Sequence, residues 1–361
     1  MENILINALP YSPYDGGFTR SINHLLSSLD KQNTYRVFAL IPSQQKDCQI
    51  FSSLDNIDII ERNIHSKIKY LAPYFLLDKV AKSINAALVH SDISGHYVTS
   101  CSNIITLNDL SFKIHKEESK NVLGKYYWSM LFPYSLKRAT VVKVISNSTL
   151  LDAQRYYPGI DYILVWLRYD YHKTLGLGDK IRNWSTPLRI LMVGNIVPRK
   201  NIGFAIRALQ RIGIDYVLDI VGNPGWGYGV IRDLIEKDHR VRYWGFIEDQ
   251  HLISLYRKAD LYLSSSLYEG FGYPVIEALS NYCPVFLSNT SSYKDLVADE
   301  YRFDMDYDDF VFKMKGLLNT PRDLVQEKQM LVLDKFSEDK YLESHLRLYE
   351  YTITKYRALH K

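Results

Sequence analysis

Four charged side chains and a small group of glycines stand out for the chemistry their spacing allows. Arg199 and Lys200 lie in VGNIVPRKN (193–201), where an apolar run ends at Gly194 and Asn195 and a helical pattern begins with Asn201 as its expected N-cap. Two adjacent cations at a helix start suit a pyrophosphate, because backbone N–H groups and side-chain charges converge on one anion. Taken alone, the pair also reads as a surface Arg-Lys step flanking a helix. In SLYEGFGYPVIEAL (266–279), Glu269 follows a second apolar run, Gly270 and Gly272 flank Phe271, and Pro274 opens a helix carrying Glu277. Glycines there let the backbone approach a ligand with its N–H groups free to donate. Proline is tolerated in a first helical turn, and Glu277 points back toward the helix start, within reach of a ribose hydroxyl.

The elements that must position these residues alternate short apolar runs with helical patterns, the signature of parallel α/β sheets. In the first half the expected strands are 3–8, 36–41, 57–60, 87–90, 104–107 and 141–145, with helices at 18–29, 119–137 and 148–156, the last capped by Ser148. The stretch 171–187, YHKTLGLGDKIRNWSTP, breaks the pattern and reads as a linker. Strands then resume at 189–193, 217–221, 242–244, 261–264 and 285–288, with helices at 201–211, 229–237, 249–258, 274–281 and 308–318. The end, 322–359, reads as helix throughout. The expected organisation is a Rossmann-like domain at 1–170, the linker, and a second such domain at 188–335. A C-terminal helix at 336–361 then crosses back to the first domain. Two doubly wound domains of this kind bind ligands in a cleft at the carboxyl ends of their strands.

Composition narrows the partners. The 361 residues, 47% hydrophobic and 23% charged, suffice for two globular cores. A net charge of +4, dispersed along the chain, argues against nucleic acid, where a clustered basic stripe is expected. The 29 tyrosines suit packing first and sugar stacking second. Cys48, Cys101 and Cys283 have neither disulfide nor zinc spacing. The start MENILINALPYSP does not read as a signal peptide, and no apolar run approaches the ~20 residues needed to span a bilayer, so a cytoplasmic protein is expected. The acidic run Asp304, Asp306, Asp308 and Asp309 reads as solvated surface, and no metal site is expected.

The combination of Arg199-Lys200, Glu269 sixty-nine residues after Lys200, and Glu277 in an E-x7-E arrangement resembles the family 4 retaining glycosyltransferases, of bacterial polysaccharide type. Further segments are similar to that family: the glycine turn 14–20 with Gly16 and Gly17, 245–248 with Phe246 and Ile247, 107–115 with Asn108 and Asp109, and Ser146–Ser148. The resemblance implies the GT-B fold, two Rossmann-like doubly wound α/β domains facing a central cleft, with no cofactor and no metal. It implies that Lys200 and Arg199 hold the donor diphosphate, that Glu269 contacts the sugar and Glu277 the ribose, and that Gly194, Asn195, Phe246, Ile247, Gly270, Phe271 and Gly272 line the donor. Gly16 and Gly17 would close over the phosphate. Asn108 and Asp109 would meet the acceptor, with Asp109 grouped with Glu269, Lys200 and Arg199 as catalytic. The implied activity is transfer of a hexose or deoxyhexose from a nucleotide-diphosphate sugar to a glycan or lipid-linked acceptor, in O-antigen, lipopolysaccharide or capsule synthesis. This chain departs from the family at Asn108, where histidine is common, and at Asn195, where a second cation is common.

Two other classes share the donor residues: a nucleotide-sugar epimerase of the same fold, and a non-catalytic nucleotide-sugar-binding partner of another transferase. An NAD enzyme is excluded because neither first strand-turn carries G-x-G-x-x-G. The stretch 124–138, GKYYWSMLFPYSLKR, admits two readings. It is either a helix packed on the core and kinked at Pro133, or a peripheral contact with the inner membrane leaflet.

Overall fold

The structure, a computed structural model, describes residues 1–13, 17–65, 70–92, 95–114, 124, 126–169 and 183–360. The chain divides into two compact units: Met1–Tyr169 together with Phe336–Lys361, and Asp170–Lys335. Most of the interval 171–187 lies outside the described residues. Its last part is tied into the second unit, where Trp184 Nε1 donates to Thr320 O at 3.0 Å and Ser185 Oγ to Asp260 Oδ1 at 2.9 Å.

The first unit is built on a sheet of β1 (Glu2–Asn7), β2 (Tyr35–Pro42), β3 (Ile57–Arg62), β4 (Ala86–Ser91), β5 (Ser102–Leu107), β6 (Val141–Val144) and β7 (Tyr162–Leu164). Their spatial order is β3-β2-β1-β4-β5-β6-β7, every neighbouring pair parallel. The strands read as continuous apolar runs because both faces of such a sheet are covered. Ile4 and Ile6 face the helix Gly17–Leu29 and the helix Glu338–Leu359, through Ile22, Leu25, Leu348 and Ile353. Leu5 points the other way, toward Leu77 and Val80 of the helix Ala72–Ser83.

Several expectations need correction here. β7 and the helix Ala72–Ser83 have no counterpart among the expected elements. The helix expected at 148–156 starts at Asn147, and its cap is Ser146, not Ser148: Ser146 Oγ accepts from Thr149 N at 3.0 Å. Of the helix expected at 119–137, residues 119–123 and 125 lie outside the described residues. The remainder is a π-helical turn, Tyr127–Leu131, leading into the helix Phe132–Arg138. Pro133 has no N–H to donate and its ring crowds the preceding turn, which a locally widened helix relieves. Tyr127 and Phe132 are buried there, while Tyr126, Met130 and Tyr134 are exposed.

The second unit carries β8 (Leu188–Val193), β9 (Tyr216–Val221), β10 (Val241–Gly245), β11 (Leu261–Ser264), β12 (Val285–Ser288) and β13 (Arg302–Phe303), in the order β10-β9-β8-β11-β12-β13, again all parallel. The order reverses between β8 and β11, so the loops after these two strands flank the sheet's switch point. The exposed acidic run does more than meet solvent: Asp306 Oδ1 accepts from Asp308 N at 2.9 Å and Asp309 N at 3.0 Å, capping the helix Tyr307–Leu318. The continuous helix expected from 322 to 359 is broken into Arg322–Met330, a 3-10 stretch Leu331–Phe336, and Glu338–Leu359. Among the described residues, no helix is long and apolar enough to cross a membrane.

Candidate functional site

The two loops at the β8/β11 switch point bring Arg199, Lys200 and Glu269 together. After β8 the chain passes Gly194 into a 3-10 turn, Pro198–Lys200, and Asn201 takes the left-handed conformation (φ 47°) before the helix Ile202–Arg211. Asn201 occupies the N-cap position but makes no side-chain cap; its Nδ2 reaches Met305 Sδ at 3.4 Å. What holds the turn is the end of β11. Leu267 N donates to Arg199 O at 2.8 Å, and Ser265 Oγ lies 3.0 Å from the carbonyl oxygens of both Lys200 and Asn201.

Gly194 is required by its backbone, which sits at φ +140°, and the lysine stem lies against it on its way to Glu269: a Cβ there would be 2.9 Å from Lys200 Cε. Lys200 Nζ donates to Glu269 Oε1 at 2.6 Å, and Arg199 Nη1 lies 3.3 Å from the same oxygen while also donating to the Tyr268 carbonyl. Burial pushes the Glu269 carboxyl up. The Lys200 ammonium and the Arg199 guanidinium, with hydrogen bonds from Lys200 and Ser266, outweigh that and hold it below the usual carboxylate range. The pair keeps contact with solvent: the Lys200 and Glu269 side chains are 15% and 12% exposed.

The glycine turn behind Glu269 is buried, and Gly272 (φ +102°) turns the chain into the helix Tyr273–Ser280 with Pro274 in its first turn. Phe271 stacks edge-on against Tyr273, and its carbonyl accepts from Ser292 Oγ at 2.9 Å. Glu277 is buried in that helix and accepts from Tyr256 OH at 2.9 Å. Neighbouring strand ends complete the rim: Gly194 N donates to Val221 O and Gly222 N to Gly245 O, at 2.9 and 2.8 Å. This places the loop with exposed Phe246 and half-buried Ile247 two strand-ends away from Lys200. Asn195 is exposed.

The other named residues belong to the first unit. Asp109 Oδ1 accepts from Ser111 N at 2.8 Å and from Ser111 Oγ at 2.7 Å, capping the turn Ser111–Ile114. Asn108 Nδ2 donates to Asp92 O at 3.2 Å. Gly17 begins the helix Gly17–Leu29, and Gly16 lies outside the described residues. Sequence reasoning missed Ser264, Ser265, Ser266, Tyr256 and Tyr293. The serine triplet closing an apolar strand was a visible signal; the two tyrosines lay among 29 with nothing to mark them.

Residues 179–343 match the family described as Glycosyl transferases group 1. Over 116 residues the chain is 37% identical to O-antigen chain mannosyltransferase B of Escherichia coli, a stretch covering 30% of each protein. It is 29% identical over 116 residues to the serotype-specific mannosyltransferase WbdA of Escherichia coli, 30% of this chain and 14% of that one. The chain thus matches less than a third of the length of these curated relatives. Solved structures align almost end to end. A glycosyltransferase from Rickettsia africae ESF-5 has 18% identity and a TM-score of 0.69, covering 98% of each chain. WaaG, described as a glycosyltransferase involved in lipopolysaccharide biosynthesis, has 16% identity and a TM-score of 0.67, covering 97% of this chain and 99% of that one. The resemblance stated from Arg199, Lys200, Glu269 and Glu277 is borne out by the family match, and the two parallel-sheet α/β domains are those of GT-B glycosyltransferase structures.

Proposed function

We propose that this chain is a glycosyltransferase that moves a hexose or deoxyhexose from a nucleoside-diphosphate sugar to a glycan or lipid-linked acceptor, with retention, in the synthesis of a bacterial surface polysaccharide. The observation that carries the reading is the sharing of one carboxylate oxygen by Lys200 and Arg199 beside the glycine turn at the β8/β11 switch point. Two cations anchored there bind the diphosphate and stabilise it as its negative charge develops on leaving. Lys200 and Arg199 supply the positive charge a divalent ion would otherwise bring, so the reaction proceeds in EDTA. Glu269 takes hydroxyls of the sugar and Glu277, held by Tyr256, the ribose. Asn108 and Asp109 serve the acceptor from the first unit. The two Escherichia coli relatives are named as mannosyltransferases, which makes mannose the first sugar to try.

Thermal stabilisation by UDP, GDP, dTDP and ADP, each with EDTA, tests the reading. A ligand at about 100 times its dissociation constant adds about 2.7 kcal/mol, which moves a melting midpoint by several degrees. A shift with one nucleotide supports the donor site and identifies the base; no shift with any of the four removes it. Binding without turnover on any sugar nucleotide would favour the non-catalytic partner, and acceptor-free release of the nucleoside diphosphate together with an epimerised sugar the epimerase.

The same reading places the chain in the cytoplasm with peripheral contact at the inner leaflet. Tyr126, Met130 and Tyr134 are exposed beside Lys137 and Arg138, an apolar and cationic set suited to headgroups. Sedimentation with anionic vesicles, lost in Met130→Ser, tests that contact.

A further inference from the structure

A groove on one face of the second unit's sheet uses none of the residues assigned to the donor. Arg189 on β8 pairs in register with Val217 on β9, and Asp219 on β9 with Arg242 on β10. Residues opposite each other in a ladder share a face, as do residues two apart along a strand, so Arg189, Asp219 and Arg242 stand on one side. Trp244 joins them across a register shift at the end of β10, where its Nε1 donates to Asp219 Oδ1 at 2.7 Å. The helix Asp249–Lys258 packs on β8 and brings His251 and Lys258, seven residues apart along one stripe, to the same space. Together they wall a cavity of about 380 Å³, within the range of small-ligand sites.

Charge in this groove is unbalanced. Among the described residues, the side chains of Arg189, Arg242 and Lys258 make no ion pair and no hydrogen bond, while the carboxylate of Asp219 is engaged by Trp244. Arg240, one residue before β10, shows the contrast: it donates to Asp238 Oδ2 at 2.8 Å and lies over the Tyr216 ring. A cation on an edge strand keeps other strands from adding to it, which accounts for Arg242 on β10. It does not account for Arg189, exposed on the interior strand β8 of a parallel sheet, where both faces are ordinarily covered. Trp244 is 39% exposed, yet its ring is held by Asp219 and by edge-on contact with His251 at 5.1 Å. A fixed indole offers a flat apolar face with little entropy to lose, and guanidinium forks match planar carboxylates with paired N–H donors. Arg189 and Arg242 stand two strand spacings apart, about 10 Å, a span that suits acid groups on separate sugars of one chain. We propose that this groove binds an acidic oligosaccharide, with one sugar ring on Trp244 and the carboxylates of its neighbours on Arg189 and Arg242. A bilayer is met by a protruding apolar face, whereas this site is concave and Trp244 is the one large apolar side chain exposed in its walls. The inference goes beyond the donor reading and does not depend on it.

Calorimetric titration of the full chain with trigalacturonate, maltotriose, inorganic phosphate and phosphatidylglycerol vesicles tests the groove. The wild type is compared with the double variant Arg189→Gln/Arg242→Gln, with Trp244→Ala and with Trp244→Phe. Trigalacturonate is expected to bind the wild type, more weakly as salt is added, and maltotriose at least tenfold less tightly. The double variant weakens the acid trisaccharide at least tenfold and Trp244→Ala about fivefold, with partial recovery in Trp244→Phe, which keeps a ring. Thermal midpoints certify folding, and the double variant, at two exposed positions, decides if Trp244→Ala fails to fold. No binding of trigalacturonate overturns the proposal, as does an affinity unchanged in the double variant. Maltotriose binding as tightly removes the role of charge, and phosphate binding as tightly shows a site for an adventitious ion only. Vesicle binding that the double variant loses, with trigalacturonate silent, assigns the face to lipid instead. Stabilisation by UDP, GDP, dTDP or ADP stays as in wild type in all variants, and its absence from the wild type counts against the donor reading alone.

Discussion

Each unit holds a lysine–carboxylate pair near the carboxyl ends of its strands, and the two pairs are finished differently. In the first unit Lys143 Nζ lies 2.8 Å from Asp92 Oδ1, and both side chains are 0% exposed. Asp92 also accepts from Ser21 and from Thr106, and Lys143 donates to His345 Nε2 at 3.2 Å. His345 Nδ1 in turn meets Tyr341 O at 2.9 Å, which fixes the neutral tautomer, and His90 bridges Thr106 and Tyr349. The charged groups are hydrogen-bonded from within the protein and shut off from solvent. The Lys200–Glu269 pair is as short but keeps an open side, and two cations share one oxygen. A sealed pair fixes a helix against a sheet, whereas an open, over-supplied carboxylate is ready to give its cations to an incoming anion.

That contrast can be broken at either end. Lys143→Met strands the Asp92 charge and costs about 3–5 kcal/mol of stability in urea unfolding, part of which Asp92→Asn restores in the same background. A stability near wild type would show that the pair is not sealed. Lys200→Ala or Glu269→Ala lowers turnover by about two orders of magnitude while leaving the melting midpoint close to wild type. Near-normal turnover in a folded variant removes Lys200 and Glu269 from the site.

Acid separates the pairs a third way. Burial, the largest cause, holds His90 and His96 at about 3 and His345 well below its ordinary value. The unfolded chain therefore binds more protons than the folded one below about pH 6.5. Stability is full above that pH and falls as the pH drops, by about 1.4 kcal/mol per unit for each such histidine. Hydrogen exchange of first-unit amides at pH 7.5 and 5.5 checks this; equal protection would contradict the buried neutral state. The smallest effect expected is in Tyr256→Phe, which removes one hydrogen bond from Glu277 and weakens nucleotide binding about fivefold, read by calorimetry.

The sequence made the open pair visible and hid the sealed one. Arg199, Lys200, Glu269 and Glu277 follow apolar strands and adjoin glycines, and that local context is what a diphosphate site requires. Lys143 and Asp92 lie 51 residues apart and His345 a further 202 from Lys143, with nothing beside any of them to mark a partner. The central strands were legible because a strand covered on both faces reads as an unbroken apolar run. β7 was not, since its three residues are all half-buried and lie at the sheet edge. The helix Ala72–Ser83 went unread because its apolar face, Leu77, Val80 and Ala81, begins behind Pro73 and beside aromatic residues. At 322–359 helical propensity is high throughout, and only the packed structure locates the break at Leu331–Ser337.

The helix Glu338–Leu359 also sets an order of assembly. The second unit, Asp170–Lys335, is contiguous and can close as soon as its last residue leaves the ribosome. The first unit begins the chain but lacks His345 and Tyr349, and the cover over β4 and β5, until everything between has been made. The half synthesised first is therefore the half that finishes last, with Lys143 and Asp92 open to water for the whole interval.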